Sequence, residues 1–185
     1  MNMPSYSVLI TGLPSSGKTT LAKLLEQDLR QRGFAVANKD LDYDIDWRQR
    51  PQTGIYLLQT PHGAVAEEKD GIRFDAFDRL LITWADEDTY NMMLSVRGAA
   101  WFREGVAEKT EDFLPTPYAI EKLPRIMRKI TGFASRRARN HTEDLVCFQR
   151  FPKKAHFVQT CIEDDGLSYL GYAPALECIV QDAYG

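Results

Sequence analysis

The sequence predicts an α/β fold with a mainly parallel sheet, on the basis of three adjacent segments. Residues 6–11 form a short β-favouring run, and residues 20–32 carry leucines that recur at helical spacing. Gly33, a common helix stop, precedes a second β-favouring run at residues 34–39. A strand, a helix and a second strand in this order form the unit from which parallel sheets are assembled.

A glycine-rich loop joins the first predicted strand to the helix, and it fits the pattern G-x-x-x-x-G-K-[ST] at every fixed position from Gly12 to Thr19. In such a loop, backbone N–H groups surround the phosphates of a nucleotide, and the positive end of the helix points at them. We expect Lys18 to reach the β and γ phosphates and the Thr19 hydroxyl to bind Mg²⁺. The residues predicted to bind the nucleotide are Gly12, Pro14, Ser15, Ser16, Gly17, Lys18, Thr19 and Thr20.

These observations narrow the fold class to the three-layer sandwich of the P-loop NTPases, with ATP and Mg²⁺ as the expected cofactors. Five further β-favouring runs predict strands at residues 54–60, 80–86, 145–148, 157–162 and 176–180. A turn signal at residues 164–166 would join the last two of these runs as a hairpin. We therefore expect a mainly parallel sheet that leaves room for an antiparallel insertion or antiparallel C-terminal strands.

The length and composition of the chain fit one globular domain. Its 185 residues, 44% of them hydrophobic, suit a single domain over residues 1–185, with an inserted or lid region at about 115–156. No apolar run approaches the roughly 20 residues of a membrane-spanning helix, and the N-terminal residues lack the basic start of a signal peptide. We expect a cytoplasmic protein without a membrane partner. Three cysteines, an odd number without C-x-x-C spacing, argue against a disulfide framework.

Acidic residues follow the second predicted strand, at alternate positions from Asp40 to Asp46. Ligands of open parallel sheets bind at the carboxyl ends of the strands, so these acids are expected at the same edge as the glycine-rich loop. Asp40 and Asp42 are two positions apart on an extended segment and would point the same way. One could align an acceptor hydroxyl and take its proton, while the other holds a water of the Mg²⁺ shell. The alternative is a solvated acidic turn.

Asp86 ends the apolar run at residues 80–86. It could be a Walker-B-like acid at the end of a core strand. It could equally be the polar residue that follows a buried helix or strand, because short apolar runs do not distinguish these cases.

A family resemblance covers about residues 5–48. It is carried by Gly12-Leu13-Pro14-Ser15-Ser16-Gly17-Lys18-Thr19-Thr20-Leu21-Ala22, by Gly33-Phe34-Ala35-Val36 and by Asp40-Leu41-Asp42. These segments resemble the N-terminal part of adenylylsulfate kinases, which show G-L-S-G-x-G-K-[ST]-T, G-Y-x-V and D-G-D, and the spacing from Gly33 to Asp40 matches without a gap. The resemblance implies a kinase that moves the γ-phosphate of ATP to a hydroxyl, with Asp42 as the base.

The stretch from Lys122 to His156 is strongly basic. It carries a net charge of +8, whereas the whole chain carries −3. Three arginines within four residues, Arg136, Arg137 and Arg139, repel one another without an anionic partner, which favours a role in binding phosphate. A lid that closes over the transferred phosphate would use such arginines, and Arg137 is the candidate for neutralising charge during transfer.

Two alternatives exist for the basic stretch. Phenylalanines interleaved with its cations could stack unpaired bases, which would make residues 122–156 a nucleic-acid-binding surface. Arg125, Arg128 and Lys129, at i, i+3 and i+4, could instead form one solvated helix face.

Together these patterns predict an ATP-dependent kinase that acts on a hydroxyl of a nucleotide-like or nucleic-acid-borne acceptor, for example a hydroxymethylated base in DNA. The predicted partners are therefore a nucleoside triphosphate and this acceptor. The predicted catalytic residues are Lys18, Asp40, Asp42 and Arg137, and the predicted metal ligands are Thr19 and Asp40. The alternative is an NTP-binding switch or an NTPase module that has no phosphate acceptor.

Overall fold

The structure is a computed structural model that describes residues 5–12, 16–41, 46–60, 71–86, 88–89, 92–93, 150–164 and 166–185. The described strands are β1 (Tyr6–Gly12), β2 (Val36–Asp40), β3 (Ile55–Gln59), β4 (Arg79–Trp84), β5 (Ala155–Glu163) and β6 (Gly166–Leu170). Among the described residues, the longer helices are α1 (Lys18–Gln31) and α2 (Tyr172–Tyr184), and a 3₁₀ turn lies at Phe74–Ala76.

The six strands form one sheet in the order β2-β3-β1-β4-β5-β6. Neighbouring strands from β2 to β5 are parallel, and β6 runs antiparallel to β5. Every residue of β1 and β3 is buried, as expected for parallel strands that are covered on both faces. The predicted α/β fold with a mainly parallel sheet and antiparallel C-terminal strands is confirmed.

One face of the sheet is covered by α1 and α2, which share a single core cluster with the strands. In α1 the fully buried side chains are Leu21, Ala22, Leu25 and Leu29, whose spacing places them on one side of the helix. Burying each leucine stabilises the fold by roughly 1.5–3 kcal/mol relative to leaving it exposed. This packing fixes the first turn of α1 over the carboxyl end of β1.

A second cluster covers the opposite face of the sheet. The described residues that cover it come from segments between strands, namely Trp47, Ile72, Phe74 and Phe77. Trp47 is buried and stacks on Phe77, with ring centroids 6.0 Å apart, so its ring belongs to this core.

The predicted strand at residues 176–180 is wrong, because this run lies inside α2. Its buried residues Leu176 and Ile179, with Ala175 and Ala183 on either side, recur at intervals of three and four, which is helical spacing. The partner of β5 in the hairpin is β6, which follows directly after the predicted turn. A run of five residues, four of them apolar, is too short to distinguish a strand from a helix.

The sequence also led to expectations about membrane helices, cysteines and two segments between residues 115 and 156. No helix among the described residues is long and apolar enough to cross a membrane. Cys161 and Cys178 are free thiols. The predicted strand at residues 145–148 lies outside the described residues, and so does the lid region, about 115–156, up to residue 149.

Candidate nucleotide-binding site

Gly12, the last residue of β1, lies so close to β4 that a residue with a side chain would not fit at this position. It pairs with Thr83 across the sheet and has a φ of 143°. A Cβ atom at this position would lie 2.3 Å from Thr83 Oγ1 and 2.4 Å from the Thr83 carbonyl oxygen. The first fixed glycine of the loop is therefore required by contact between neighbouring strands as well as by its backbone conformation.

Lys18 begins α1 and turns its side chain back towards the end of β1. Its Nζ donates a hydrogen bond of 2.9 Å to the carbonyl oxygen of Gly12. The ammonium group therefore lies at the carboxyl end of β1, between the two ends of the glycine-rich loop. This is where the phosphate-binding pattern predicts a cation.

The start of α1 has no side-chain cap. Gly17 is the N-cap residue, in the left-handed conformation with a φ of 84°, and none of the described side chains hydrogen-bonds to the first N–H groups from a capping position. Uncapped N–H groups at a helix start, with the positive end of the helix dipole behind them, are suited to bind an anion. The local geometry thus fits the phosphates of a nucleotide.

The side chain of Ser16 points into the sheet. It is fully buried, and its Oγ lies 2.5 Å from Thr83 Oγ1, while Thr83 Oγ1 donates to the Thr11 carbonyl oxygen at 3.2 Å. The predicted role of Ser16 in nucleotide binding therefore rests on its backbone, because the hydroxyl is already engaged by β4.

Two hydroxyl groups from the C-terminal hairpin hold the second half of the loop. Thr160 Oγ1, on β5, donates to the Ser16 carbonyl oxygen at 2.7 Å, and Tyr169 Oη, on β6, donates to the Gly17 carbonyl oxygen at 2.9 Å. Burial raises the pKa of Tyr169 to about 12, and hydrogen bonding to Thr20 acts in the opposite direction. The phenol is therefore neutral and a donor at physiological pH.

Sequence analysis did not identify Thr83, Thr160 or Tyr169 as part of this region. The available signal was weak: Thr83 and Thr160 are hydroxyl residues inside mainly apolar β-favouring runs. Both are completely buried, and a buried hydroxyl needs a hydrogen-bond partner. The sequence did not reveal that the hydrogen-bond partners of Thr83 and Thr160 lie in the glycine-rich loop and at the end of β1.

Thr19 and Thr20 occupy the first turn of α1, and both are exposed. Asp40 ends β2, half-buried, in register with Gln59 of β3. Since β3 lies between β2 and β1, Asp40 is two strands away from the strand that leads into the loop, about 10 Å at the usual strand spacing. A threonine hydroxyl and a carboxylate are oxygen donors, the kind that Mg²⁺ prefers.

A chain of polar side chains leads from α1 to the edge of the sheet beside Asp40. Gln59 Nε2 donates to Asn38 Oδ1 at 2.9 Å, and Asn38 Nδ2 donates to Glu26 Oε2 at 2.9 Å. Gln59 Oε1 and the neighbouring Thr60 Oγ1 are buried and have no hydrogen-bond partner among the described residues. Buried oxygens without partners are uncommon, and two of them lie at the carboxyl end of β3.

Asp86 lies just beyond β4 and is exposed. Its carboxylate accepts hydrogen bonds of 2.9 Å from both the backbone N–H and the hydroxyl of Thr89, and these bonds lower its pKa. The carboxylate thus caps the turn that follows it. A Walker-B-like role for Asp86 stays a prediction.

Four of the predicted site residues lie outside the described residues. They are Pro14, Ser15, Asp42 and Arg137.

The match to a known protein family is confined to the N-terminal part of the chain. Residues 3–47, about a quarter of the chain, match the family of the chromatin associated protein KTI12. This range nearly coincides with residues 5–48, for which the sequence motifs suggested adenylylsulfate kinases. A likeness to P-loop kinases over this segment is therefore confirmed, with KTI12 as the matching family. No curated protein matches the sequence.

Solved structures resemble the chain over a longer stretch but at low identity. A structure described as the crystal structure of APE1195 is 17% identical, covers 70% of this chain and 97% of its own, and has a TM-score of 0.39. Shikimate kinase from Bacteroides thetaiotaomicron is 14% identical, covers 71% of this chain and 82% of its own, and has a TM-score of 0.35. The fold is established by the strand order of the sheet in this chain. The N-terminal quarter of the protein is similar to the P-loop segment of the KTI12 family.

Proposed function

We propose that this protein is an ATP-dependent kinase that moves the γ-phosphate to a hydroxyl group of a nucleotide-like or nucleic-acid-borne acceptor. One observation carries the proposal: Lys18, at the start of α1, bonds back to Gly12 at the carboxyl end of β1, a central strand of a mainly parallel sheet. Asp40 ends a strand at the same edge. Such edges are where ligands bind in open α/β sheets.

Each part of the loop has a role in this proposal. Backbone N–H groups of the loop between Gly12 and Thr19, except Pro14, which has none, bind the phosphates, and Lys18 binds and neutralises the β and γ phosphates. Bound ATP and Mg²⁺ supply the transferable phosphate and the cation that offsets its charge. The Thr19 hydroxyl would hold the metal, because it is exposed in the first turn of α1.

Asp40 and Asp42 form the acceptor side of the proposed site. Asp40, about two strand spacings from β1, is suited to hold a water of the metal shell, and Asp42 is suited to take the proton of the acceptor hydroxyl. The buried oxygens of Gln59 and Thr60, which have no partner within the described part of the chain, are consistent with a polar ligand at this edge, since such groups are normally satisfied by a partner.

The class of acceptor is proposed from the positive charge of residues 122–156. Residues 122–156 carry a net charge of +8, which suits an acceptor that bears phosphates. Arg137 is proposed to approach the transferred phosphate. If the acceptor is nucleic acid, the protein should bind oligonucleotides with an affinity that falls steeply as salt rises, because bound cations are released from the phosphates. The absence of oligonucleotide binding at low salt would exclude this class of acceptor.

The test is a transfer assay with ATP labelled in its γ-phosphate. The full chain is incubated with Mg²⁺ and a panel of acceptors: nucleosides, nucleotides, and DNA or RNA with and without hydroxymethylated bases. We expect label on one acceptor class with the unaltered protein, and none with Lys18→Ala. Lys23→Ala is the matched control, because Lys23 is an exposed lysine on the same helix. Release of labelled phosphate that no acceptor stimulates would contradict the kinase and favour the NTPase or switch.

A further inference from the structure

The carbonyl oxygens just before Lys18 point towards the C-terminal hairpin. Thr160 Oγ1 donates to the Ser16 carbonyl oxygen at 2.7 Å, and Tyr169 Oη donates to the Gly17 carbonyl oxygen at 2.9 Å. Both donors are more than 140 residues away along the chain, on β5 and β6. Thr160 is completely buried, so its bond to the loop is shielded from water.

The geometry of the peptide bond turns these two hydrogen bonds into a constraint on N–H groups. In a trans peptide plane the carbonyl oxygen and the following N–H point in opposite directions. Holding the Ser16 carbonyl therefore orients the N–H of Gly17, and holding the Gly17 carbonyl orients the N–H of Lys18. Both N–H groups are directed away from the hairpin, on the side of the turn where the phosphate-binding pattern places the nucleotide.

Gly17 is packed directly against the two donors. Its φ of 84° lies in the left-handed region, and a Cβ atom there would lie 3.1 Å from both Thr160 Oγ1 and Tyr169 Oη. The Gly17 carbonyl also accepts the first helical hydrogen bond, from Leu21 N at 2.9 Å. With no side-chain cap at this helix start, the hairpin supplies the side-chain contacts that fix the turn.

We propose that Thr160 and Tyr169 are positioning residues of the nucleotide site, which hold the Gly17 and Lys18 amides in the orientation that binds the phosphates of a nucleoside di- or triphosphate. This inference rests on the proposed function, because it requires that the loop binds a nucleotide. The antiparallel strand β6 then belongs to the site through Tyr169, whose hydroxyl acts on the loop and not on the nucleotide itself.

Loss of either donor is expected to weaken phosphate binding more than folding. An amide hydrogen bond to a charged phosphate is among the strong ones, and losing the alignment of one such bond weakens binding by about tenfold. Tyr169→Phe removes only the hydroxyl and leaves the ring in place. Thr160→Val removes the hydroxyl at constant shape, and Thr160→Ser keeps it.

The experiment measures the affinity of the full chain for ADP with Mg²⁺ by calorimetry, together with the melting temperature without nucleotide. Tyr184→Phe is the matched control, because Tyr184 also donates its phenol proton to a carbonyl oxygen, that of Arg32 just beyond the far end of α1. We expect the Kd for ADP to rise about tenfold in Tyr169→Phe and Thr160→Val. Near-normal affinity is expected in Thr160→Ser and in Tyr184→Phe.

The possible outcomes separate the inference from the proposed function. If the unaltered protein binds no nucleotide, the proposed function fails, and the inference fails with it. If the unaltered protein binds ADP and the folded Tyr169→Phe and Thr160→Val variants bind it equally well, the inference is wrong and the proposed function stands. A fall in melting temperature alone, at unchanged Kd, would assign both residues to folding only. If Thr160→Val does not fold, Tyr169→Phe decides the question.

Discussion

Gly12 and Lys18 contact each other directly at the carboxyl end of β1. Gly12 brings β1 against Thr83 of β4, and its carbonyl oxygen accepts the bond from the Lys18 ammonium. A side chain at residue 12 would disturb both the pairing of β1 with β4 and the Gly12 carbonyl group that accepts the bond from Lys18. The requirement for glycine is therefore a matter of packing, in addition to any contact with phosphate.

Gly12→Ala should destabilise the protein strongly. The new Cβ would meet backbone and side-chain atoms of Thr83, and the φ of 143° is strained for alanine, so we expect a loss of about 2–4 kcal/mol in the free energy of unfolding. Urea denaturation measures it. Gly33→Ala is the control, since Gly33 also has a positive φ but no described residue other than its chain neighbours lies within 4 Å of its Cβ position; about 1–2 kcal/mol is expected there. Equal losses would contradict the packing argument.

Asp42→Asn should distinguish the role proposed for Asp42 from the role proposed for Asp40. If Asp42 takes the proton of the acceptor, kcat falls far more than the affinity for ATP, because the interaction is made only during transfer. Steady-state kinetics with the acceptor found in the transfer assay measures both. Asp75→Asn is a control in which kcat is expected to be unchanged, because Asp75 is an exposed acid that pairs with Arg73 on the surface. A parallel loss of ATP affinity in Asp42→Asn would place this residue in the nucleotide site.

Helix α1 carries the phosphate-binding turn, and its position depends on one buried stripe. Leu21, Leu25 and Leu29 pack in the cluster that also contains Val8 and Ile10 of β1. The first turn of the helix is therefore located by contacts made along its whole length. The hairpin β5–β6 adds the two hydroxyl contacts that locate Ser16 and Gly17.

Leu25→Ala should test this dependence. The side chain is completely buried, so its truncation is expected to cost about 2–5 kcal/mol of unfolding free energy through lost transfer energy and the cavity left behind. Lys23→Ala, an exposed change two positions away, is expected to stay within about 0.5 kcal/mol. Chemical denaturation of both variants compares them. A small loss in Leu25→Ala would mean that α1 packs less tightly than described.

The two ends of the described chain meet at the amino edge of the sheet. Tyr6 Oη donates to Asp182 Oδ2 at 2.8 Å, and Arg79 donates to both Tyr6 Oη and Asp182 and forms an ion pair with this carboxylate. Arg79 Nη1 also lies 3.0 Å from His156 Nε2, which accepts this bond only when the imidazole is neutral. One guanidinium thus ties β1, β4, β5 and α2 together.

This network predicts a loss of stability on acidification. Burial, followed by the charge of Arg79, lowers the pKa of His156, and the hydrogen bond from Arg79 lowers the pKa of Asp182. A lowered pKa means that the folded state binds fewer protons than the unfolded state, so stability falls as pH drops. For His156 the fall begins near its ordinary pKa of about 6.5, and for Asp182 near about 3.9.

His156→Gln is the variant that isolates the first step. The glutamine carbonyl can accept the Arg79 bond but does not titrate, so stability should become flat between about pH 7 and pH 5 while the loss at lower pH remains. Thermal denaturation over a pH series measures this. An unchanged slope between pH 7 and pH 5 in the variant would show that His156 is not the titrating group.

The fold was predictable from sequence wherever a local pattern was long or carried turn signals. β1, α1, β3 and β4 lie within about two residues of their predicted bounds, because leucine spacing, Gly33 and the apolar runs act locally. Residues 176–180 were misassigned as a strand, since a run of five residues with four apolar members fits either structure until Ala175, Ile179 and Ala183 are seen packed on one helix face. Short runs depend on tertiary packing for their assignment.

The sequence by itself determined the glycine-rich loop, the lysine within it, the helix that follows and the acids after the second strand. Each of these depends on residues that are neighbours along the chain. Only the tertiary structure decided the strand order and which hydroxyls hold the loop. Thr83, Thr160 and Tyr169 reach it from strands 67 to 152 residues away. The register between distant strands is set by the packing of the whole sheet, and no local spacing in the sequence encodes it.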